Sequence, residues 1–206
     1  VLYLIEKYKI SEGQLLGEVD RKSIVYGVMT SHHFIHMLDL LDRMIEKITV
    51  VDGSTYMEIG GGFGVNVFLI AQNFSQVKKY IYVDIAPNLY VGTQFLKANF
   101  GKSVKDFTNY ESQSTISFTN DTELEIICLL PHQSQYIVSK IDIFHNANSF
   151  VEMPKEVVRN YAFNVSKILS DEGLILLSSY GNFNISSTFD PDELCDFFDC
   201  TFIKYQ

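Results

Sequence analysis

Residues 55–74 read TYMEIGGGFGVNVFLIAQNF, and they indicate the fold class of the whole chain. A short apolar run, TYMEIG, leads into a glycine-rich stretch and then into an apolar run of helical length. Glycines at a strand-to-helix junction let the backbone turn sharply and approach a ligand, and the free N–H groups of the following helix favour an anion or carboxylate. The stretch therefore predicts a β-strand, a ligand-binding loop and a helix in immediate succession.

The rest of the chain continues this alternation of short apolar runs and helical stretches. Strands are predicted at 55–60, 80–85, 125–130, 141–146, 173–180 and 200–205, and helices around 64–74, 88–100, 132–139, 154–169 and 191–198. Six strands that alternate with helices predict an α/β fold with a doubly wound, mostly parallel, Rossmann-like sheet and helices on both faces. The polar residues 102–124 lack periodicity and predict a loop or a variable insertion.

The first 50 residues are predicted to form an N-terminal helical segment. Residues 31–48 place apolar side chains at helical spacing, and Ser31 can serve as the N-cap. We expect residues 1–50 to act as a lid over a core formed by residues 51–206.

Three histidines lie at the start of this predicted helix, at positions 32, 33 and 36. His32 and His36 share one helical face and could bind a metal or contact a substrate. No carboxylate partner is evident nearby in the sequence, so no metal site is predicted.

Composition narrows the classes of function. With 206 residues, 47% of them apolar, the chain can bury one full core, whereas a net charge of −9 argues against binding to nucleic acid. Three cysteines without C-x-x-C spacing fit a reducing, cytoplasmic location. No apolar run approaches the ~20 residues that would insert into a membrane. We expect a small-molecule or glycan substrate, and a homodimer is plausible.

The glycine pattern disfavours a dinucleotide. Counting G-x-G-x-x-G from Gly60 places Val65 where the third glycine should be. Asp84 ends the next predicted strand, where a carboxylate can accept both ribose hydroxyls of an adenosine, and Ile85 could cover one face of adenine. A Tyr-x-x-x-Lys spacing is present at 136–140, but it precedes the fourth strand and lies remote from the expected strand ends.

Four blocks carry a resemblance to a known family: YMEIGGGFG, YVDIAPNLY, the LLPHQ after the third strand, and DIFHNANSFVEMP after the fourth. From about Gly27 to Tyr180 the chain resembles the sugar O-methyltransferases of bacterial surface-polysaccharide clusters, within the class I S-adenosylmethionine-dependent methyltransferases. The resemblance implies S-adenosylmethionine as cofactor, S-adenosylhomocysteine as product and a seventh, antiparallel strand. No seventh strand can be identified before Gln206.

The same resemblance implies roles for individual residues. The methionine part of the cofactor would lie against Glu58, Gly60, Gly61, Gly62 and Gly64. Asp84 would bind the ribose, and His132 or Gln133 the adenine. His145 and Asn146 would stand near the sulfonium.

A sugar hydroxyl needs a general base to become a good nucleophile, and histidine or a carboxylate is the usual choice. Glu152 is the first candidate, because it follows the polar turn after the fourth strand and precedes Pro154, which opens the next helix. His145 is the second. The alternatives are a helix N-terminal carboxylate for Glu152 and a histidine bonded to backbone in the core for His145.

The sequence therefore predicts an S-adenosylmethionine-dependent O-methyltransferase that acts on a sugar or surface-glycan precursor. Two alternatives stay open: a methyltransferase with another small acceptor, such as a phenol, amine or carboxylate, and a silent Rossmann domain that binds the cofactor without turnover. A silent domain would have no need of the polar block after the fourth strand.

Overall fold

The computed structural model describes residues 1–10, 22–46, 48–178 and 190–199. The N-terminal segment contains helix α1 (Leu2–Lys7), a hairpin of strands β1 (Lys22–Val25) and β2 (Val28–Ser31), and helix α2 (His32–Ile45). Ser31 caps α2, because its Oγ accepts a hydrogen bond from the backbone N–H of Phe34 at 3.0 Å. Helix α2 corresponds to the helix predicted at residues 31–48, whereas the hairpin was not predicted.

The core consists of strands and helices in alternation. In chain order they are β3 (Thr55–Ile59), α3 (Val65–Asn73), β4 (Lys79–Val83), α4 (Ala86–Phe100), β5 (Val104–Lys105), β6 (Glu125–Leu129), β7 (Ile141–Ala147), α5 (Lys155–Ile168) and β8 (Leu169–Ser178). Short 3₁₀ helices occupy Gly101–Ser103, Phe107–Tyr110, Pro131–Tyr136, Ser149–Glu152 and Pro191–Asp196.

These strands form one parallel sheet in the order β5-β6-β4-β3-β7-β8. From β3 the chain moves outward through β4 to the edge strand β5, returns to β6 between β5 and β4, and then crosses to the other side of β3 at β7. The strand order thus reverses between β3 and β7, and in open parallel sheets the carboxyl ends at such a switch point form the ligand crevice. The prediction of an α/β fold with a doubly wound, Rossmann-like sheet is confirmed.

Three predicted elements differ from the structure. Residues 102–124 are not only a loop, because Val104 and Lys105 pair with β6 and add an edge strand. Residues 132–139 do not form an α-helix: the segment is the 3₁₀ helix Pro131–Tyr136, in which Ser134 Oγ donates to Pro131 O and side-chain bonding competes with the α-helical pattern. The predicted helix 191–198 is likewise a 3₁₀ helix, and the predicted strand 200–205 lies outside the described residues.

Helices cover both faces of the sheet. One buried cluster joins side chains of α1, α2, α3 and α4 to one face, and a second joins α5 to the other. Asp42 of α2 accepts hydrogen bonds from Lys7 Nζ at 2.5 Å and from Tyr8 Oη at 2.8 Å, which fixes α1 against α2. The N-terminal segment therefore packs on the sheet face that carries α3 and α4. In the described part of the chain, no helix has the length and apolar character needed to cross a membrane.

Candidate active site

The glycine loop connects β3 to α3 in a conformation that requires glycine. Gly60, Gly62 and Gly64 have φ values of +74°, +60° and +86°, a left-handed region that other residues adopt at a cost. The Gly60 N–H donates to Val83 O at 2.8 Å and fixes the start of the loop against β4. A Cβ on Gly61 would lie 2.7 Å from Oε2 of Glu58. The loop backbone therefore lies directly against this carboxyl group.

Glu58 is fully buried near the end of β3. Its Oε1 accepts a hydrogen bond from Asn66 Nδ2 on α3 at 2.7 Å. Its Oε2 is also buried, and no described residue donates a hydrogen bond to it. Burial raises the pKa of Glu58 to about 8, although the bond from Asn66 acts in the opposite direction. Near neutral pH the site thus holds a largely protonated carboxyl group with one unsatisfied oxygen.

Asp84 follows β4 and faces the same loop. Its Oδ2 accepts the Gly62 N–H at 2.7 Å, and its Oδ1 accepts the Ile85 N–H at 2.7 Å and Asn88 Nδ2 at 3.3 Å. Burial raises the pKa of Asp84, and these hydrogen bonds lower it. The hydroxyl of Tyr82 donates to the Gly62 carbonyl. The loop is therefore held through both its N–H and C=O groups, while Ile85 exposes 57% of its surface beside it.

His145 lies on β7, in register with Glu58 on the neighbouring strand. Its Nδ1 is 2.5 Å from the hydroxyl oxygen of Tyr56 and 3.7 Å from Oε1 of Glu58. Its Nε2 is buried, with no hydrogen-bond partner among the described residues. Burial lowers the pKa of His145 to about 4, so the ring is neutral at physiological pH. Tyr56, Glu58 and His145 form a buried polar cluster on one face of the sheet.

Asn146 fastens the turn after β7 to the end of β3. Its Nδ2 donates to Ile59 O at 2.8 Å and to Ser149 Oγ at 2.6 Å, and its Oδ1 accepts the Phe150 N–H at 3.1 Å. The same turn becomes the 3₁₀ helix Ser149–Glu152, which ends at the exposed Glu152. Asn146 is therefore engaged with the protein, and its bonds place Glu152 near the carboxyl ends of the strands.

The two candidates after β6 lie in different environments. His132 is exposed, whereas Gln133 is buried. Both ends of the Gln133 amide are bonded within the protein, because Oε1 accepts the Leu130 N–H at 2.8 Å and Nε2 donates to Phe107 O at 3.1 Å. Gln133 thus shapes the loop after β6, and His132 is the member of the pair whose side chain faces solvent.

The start of α2 lies beside the glycine loop. The His33 ring is 5.9 Å from the ring of Phe63, between their centroids, and all three histidines at the start of α2 are exposed. Among the described residues, no group of three or more His, Cys, Asp or Glu side chains is placed to hold a metal ion.

The fold brings Glu58, the glycine loop, Asp84, His145 and Asn146 to one edge of the sheet. Three residues that support them, Asn66, Tyr56 and Tyr82, were not predicted from the sequence. Two of these carried a signal: Asn66 is a polar residue in the apolar stretch VNVFLIA, and Tyr56 precedes Glu58 by two positions and so shares its face of the strand.

No protein-family profile and no curated protein sequence matches the chain. It is similar to three solved structures, among others. The mitomycin 7-O-methyltransferase MmcR is 9% identical, with a TM-score of 0.48 over 66% of this chain and 34% of that protein. The YcgJ protein from Bacillus subtilis is 14% identical, with a TM-score of 0.46 over 66% and 48%. The cyclopropane synthase MmaA2 from Mycobacterium tuberculosis is 16% identical, with a TM-score of 0.46 over 67% and 40%. The chain thus spans between a third and a half of the length of these proteins.

Proposed function

We propose that the chain binds S-adenosylmethionine and transfers its methyl group to a hydroxyl of a sugar or surface-glycan precursor. The observation that carries the cofactor part is the buried, unpartnered Oε2 of Glu58 against the glycine loop. An unsatisfied buried oxygen is costly, and a cationic donor delivered to the loop would relieve that cost. The sugar acceptor rests on the resemblance of the NANSFVEMP block alone.

The residues present fit this cofactor. Glu58 would accept a hydrogen bond from the ammonium group of the methionine part. Asp84 has lone pairs left for the ribose hydroxyls, since each of its oxygens can accept more than the bonds it makes within the protein. The exposed Ile85 offers an apolar surface to adenine, and the exposed His132 a polar contact. Gln133 and Asn146 would hold the surrounding loops in place without contacting the cofactor directly.

The bound cofactor would supply an electrophilic methyl group on a positively charged sulfur. The protein then has to hold the acceptor oxygen in line with that methyl group and remove the hydroxyl proton. His145 is poorly suited to remove it, because the ring is enclosed and burial lowers its pKa to about 4. Glu152 is exposed on the turn that Asn146 holds in place, so we assign the general base to Glu152 and a supporting role to His145.

The cofactor assignment is tested by calorimetric titration of S-adenosylmethionine and NAD, each alone, into the purified protein. Asp84→Asn is the test variant, and Asp171→Asn, at an exposed position on β8, is the matched control. We expect S-adenosylmethionine to bind the wild type and the control, with weaker binding to Asp84→Asn. Binding of NAD instead would refute the methyltransferase assignment, and binding of neither would refute cofactor binding by this chain.

The acceptor and the base are tested by transfer of a labelled methyl group to a panel of sugars, nucleotide sugars, phenols and amines. Glu156→Gln is the control for Glu152→Gln, because both carboxylates are exposed and lie four residues apart. We expect Glu152→Gln to lower turnover by about 10²-fold or more, and Glu156→Gln to leave it unchanged. Methylation of a phenol or amine but of no sugar would show that the acceptor is not a sugar. Cofactor binding without any methyl transfer would identify a silent domain.

A further inference from the structure

We propose that Asn66 is a positioning residue that holds Glu58 for a ligand with an ammonium group, and so makes the site selective for an amino-acid-bearing nucleoside. This inference rests on the proposed function and adds the residue that determines its selectivity. Asn66 does not need to contact the ligand, because it acts through the carboxyl group of Glu58.

Asn66 places an amide in buried, apolar surroundings. In α3 the neighbouring residues Val65, Val67 and Phe68 are buried and apolar, and Asn66 itself is only 3% exposed. A buried amide is unfavourable unless it is hydrogen-bonded. Its Nδ2 donates to Oε1 of Glu58 at 2.7 Å, so the residue has a specific partner inside the site.

The bond from Asn66 determines which oxygen of Glu58 stays free. The carboxyl group of Glu58 has two oxygens, and Asn66 occupies Oε1, so the free oxygen is Oε2. Oε2 faces Gly61, where a Cβ would lie 2.7 Å away, and the lack of a side chain at Gly61 keeps that contact open. Helix and loop together thus fix which oxygen of Glu58 faces the ligand loop.

Asn66 also influences the ionisation of Glu58. Burial raises the pKa of Glu58 to about 8, and the bond from Asn66 lowers it. Because an ammonium group binds the ionised carboxylate, loss of Asn66 should raise the pKa further and weaken ammonium binding at neutral pH. Binding of the adenosine part at Asp84 should not change.

Two ligands separate these contributions. S-adenosylhomocysteine and 5′-methylthioadenosine share the thioadenosine part, but only the first carries an ammonium group. The ratio of their dissociation constants therefore measures the contribution of the amino-acid part, and the change in this ratio between the wild type and an Asn66 variant measures the share that depends on Asn66 and Glu58. The proteins to compare are the wild type, Asn66→Ala, Asn66→Ser and the control Asn73→Ala, which removes an amide that donates to Leu69 O at the end of the same helix.

We expect the wild type and Asn73→Ala to prefer S-adenosylhomocysteine. In Asn66→Ala this preference should fall by about tenfold at pH 7, and its pH midpoint should move upward, whereas the affinity for 5′-methylthioadenosine stays unchanged. Asn66→Ser retains a donor in a smaller side chain, so it should recover part of the preference and provides a folded variant if Asn66→Ala unfolds.

An unchanged preference and pH midpoint in the folded Asn66 variants would overturn the inference and leave the proposed function intact. An equal loss of affinity for both ligands would also overturn it, because a general disturbance of the site would then explain the effect. Failure of the wild type to bind either ligand would refute the proposed function, and the inference with it.

Discussion

Replacing Glu58 by glutamine should make the protein less sensitive to alkaline pH. The ordinary pKa of the glutamate carboxyl group is 4.5, and burial in the folded protein raises it to about 8. Between these values the folded state keeps a proton that the unfolded state has released, so the stability of the wild type falls as the pH rises. Each pH unit in this window costs about 1.4 kcal/mol. Above the folded pKa the loss is complete.

The glutamine side chain is uncharged and can still accept the bond from Asn66, so Glu58→Gln should lack this dependence. From pH 6.5 to pH 8 the free energy of unfolding of the wild type should therefore fall by about 2 kcal/mol relative to that of the variant. The buried His145 has an opposite effect at lower pH, because its pKa is lowered from 6.5 to about 4, and it cancels in the comparison since both proteins contain it.

The assay is urea unfolding at several pH values, followed by far-UV circular dichroism or by tyrosine fluorescence, since the chain has no tryptophan and 12 tyrosines. Glu156→Gln, at an exposed position on α5, is the control and should follow the wild type. Parallel stability curves for the wild type and Glu58→Gln between pH 6.5 and 8 would refute a buried, protonated Glu58.

Three further substitutions test the packing around the site. Gly61→Ala should destabilise the protein by about 1–3 kcal/mol in thermal or urea unfolding and abolish cofactor binding, because the new Cβ would lie 2.7 Å from Oε2 of Glu58. Tyr82→Phe removes the hydroxyl that donates to the glycine loop, and should weaken cofactor binding in calorimetry at a stability cost of about 1 kcal/mol; unchanged affinity would contradict this role. Asp42→Ala should lower the free energy of unfolding in urea by about 1–2 kcal/mol, because it removes the partly exposed ion pair with Lys7 and the hydrogen bond from the Tyr8 hydroxyl. Cofactor affinity should be retained.

The sequence predicted the central sheet well because local patterns determine it. Buried parallel strands such as YIYVDI are short apolar runs, which can be recognised in the sequence. A glycine-rich junction after such a run indicates the turn that follows the first strand of the sheet. The short strand Val104–Lys105 was missed because two residues carry no periodicity, and only their pairing with β6 defines them. The hairpin of residues 22–31, with strands of four residues each, was missed because a helical segment was expected there.

The positions of Glu58, the glycine loop and Asp84 at the strand ends were predicted from the sequence, whereas the residues that support them were not. Glu58 and Asp84 were identified because motif and strand ends mark them. Their partners are set by long-range packing, as between Tyr56 and His145, 89 residues apart, which no local pattern reveals. His145 was considered as a base because its type and position suit one, but its complete burial is a tertiary property.

We infer that the ammonium group of an S-adenosyl ligand meets the buried carboxyl group of Glu58. Calorimetry of S-adenosylhomocysteine at pH 7, in two buffers with different ionisation enthalpies, measures binding and proton release together. With the pKa of Glu58 at about 8, binding should release about one proton per ligand, and Glu58→Gln should release none. Absence of binding, or binding without proton release in the wild type, would contradict the claim.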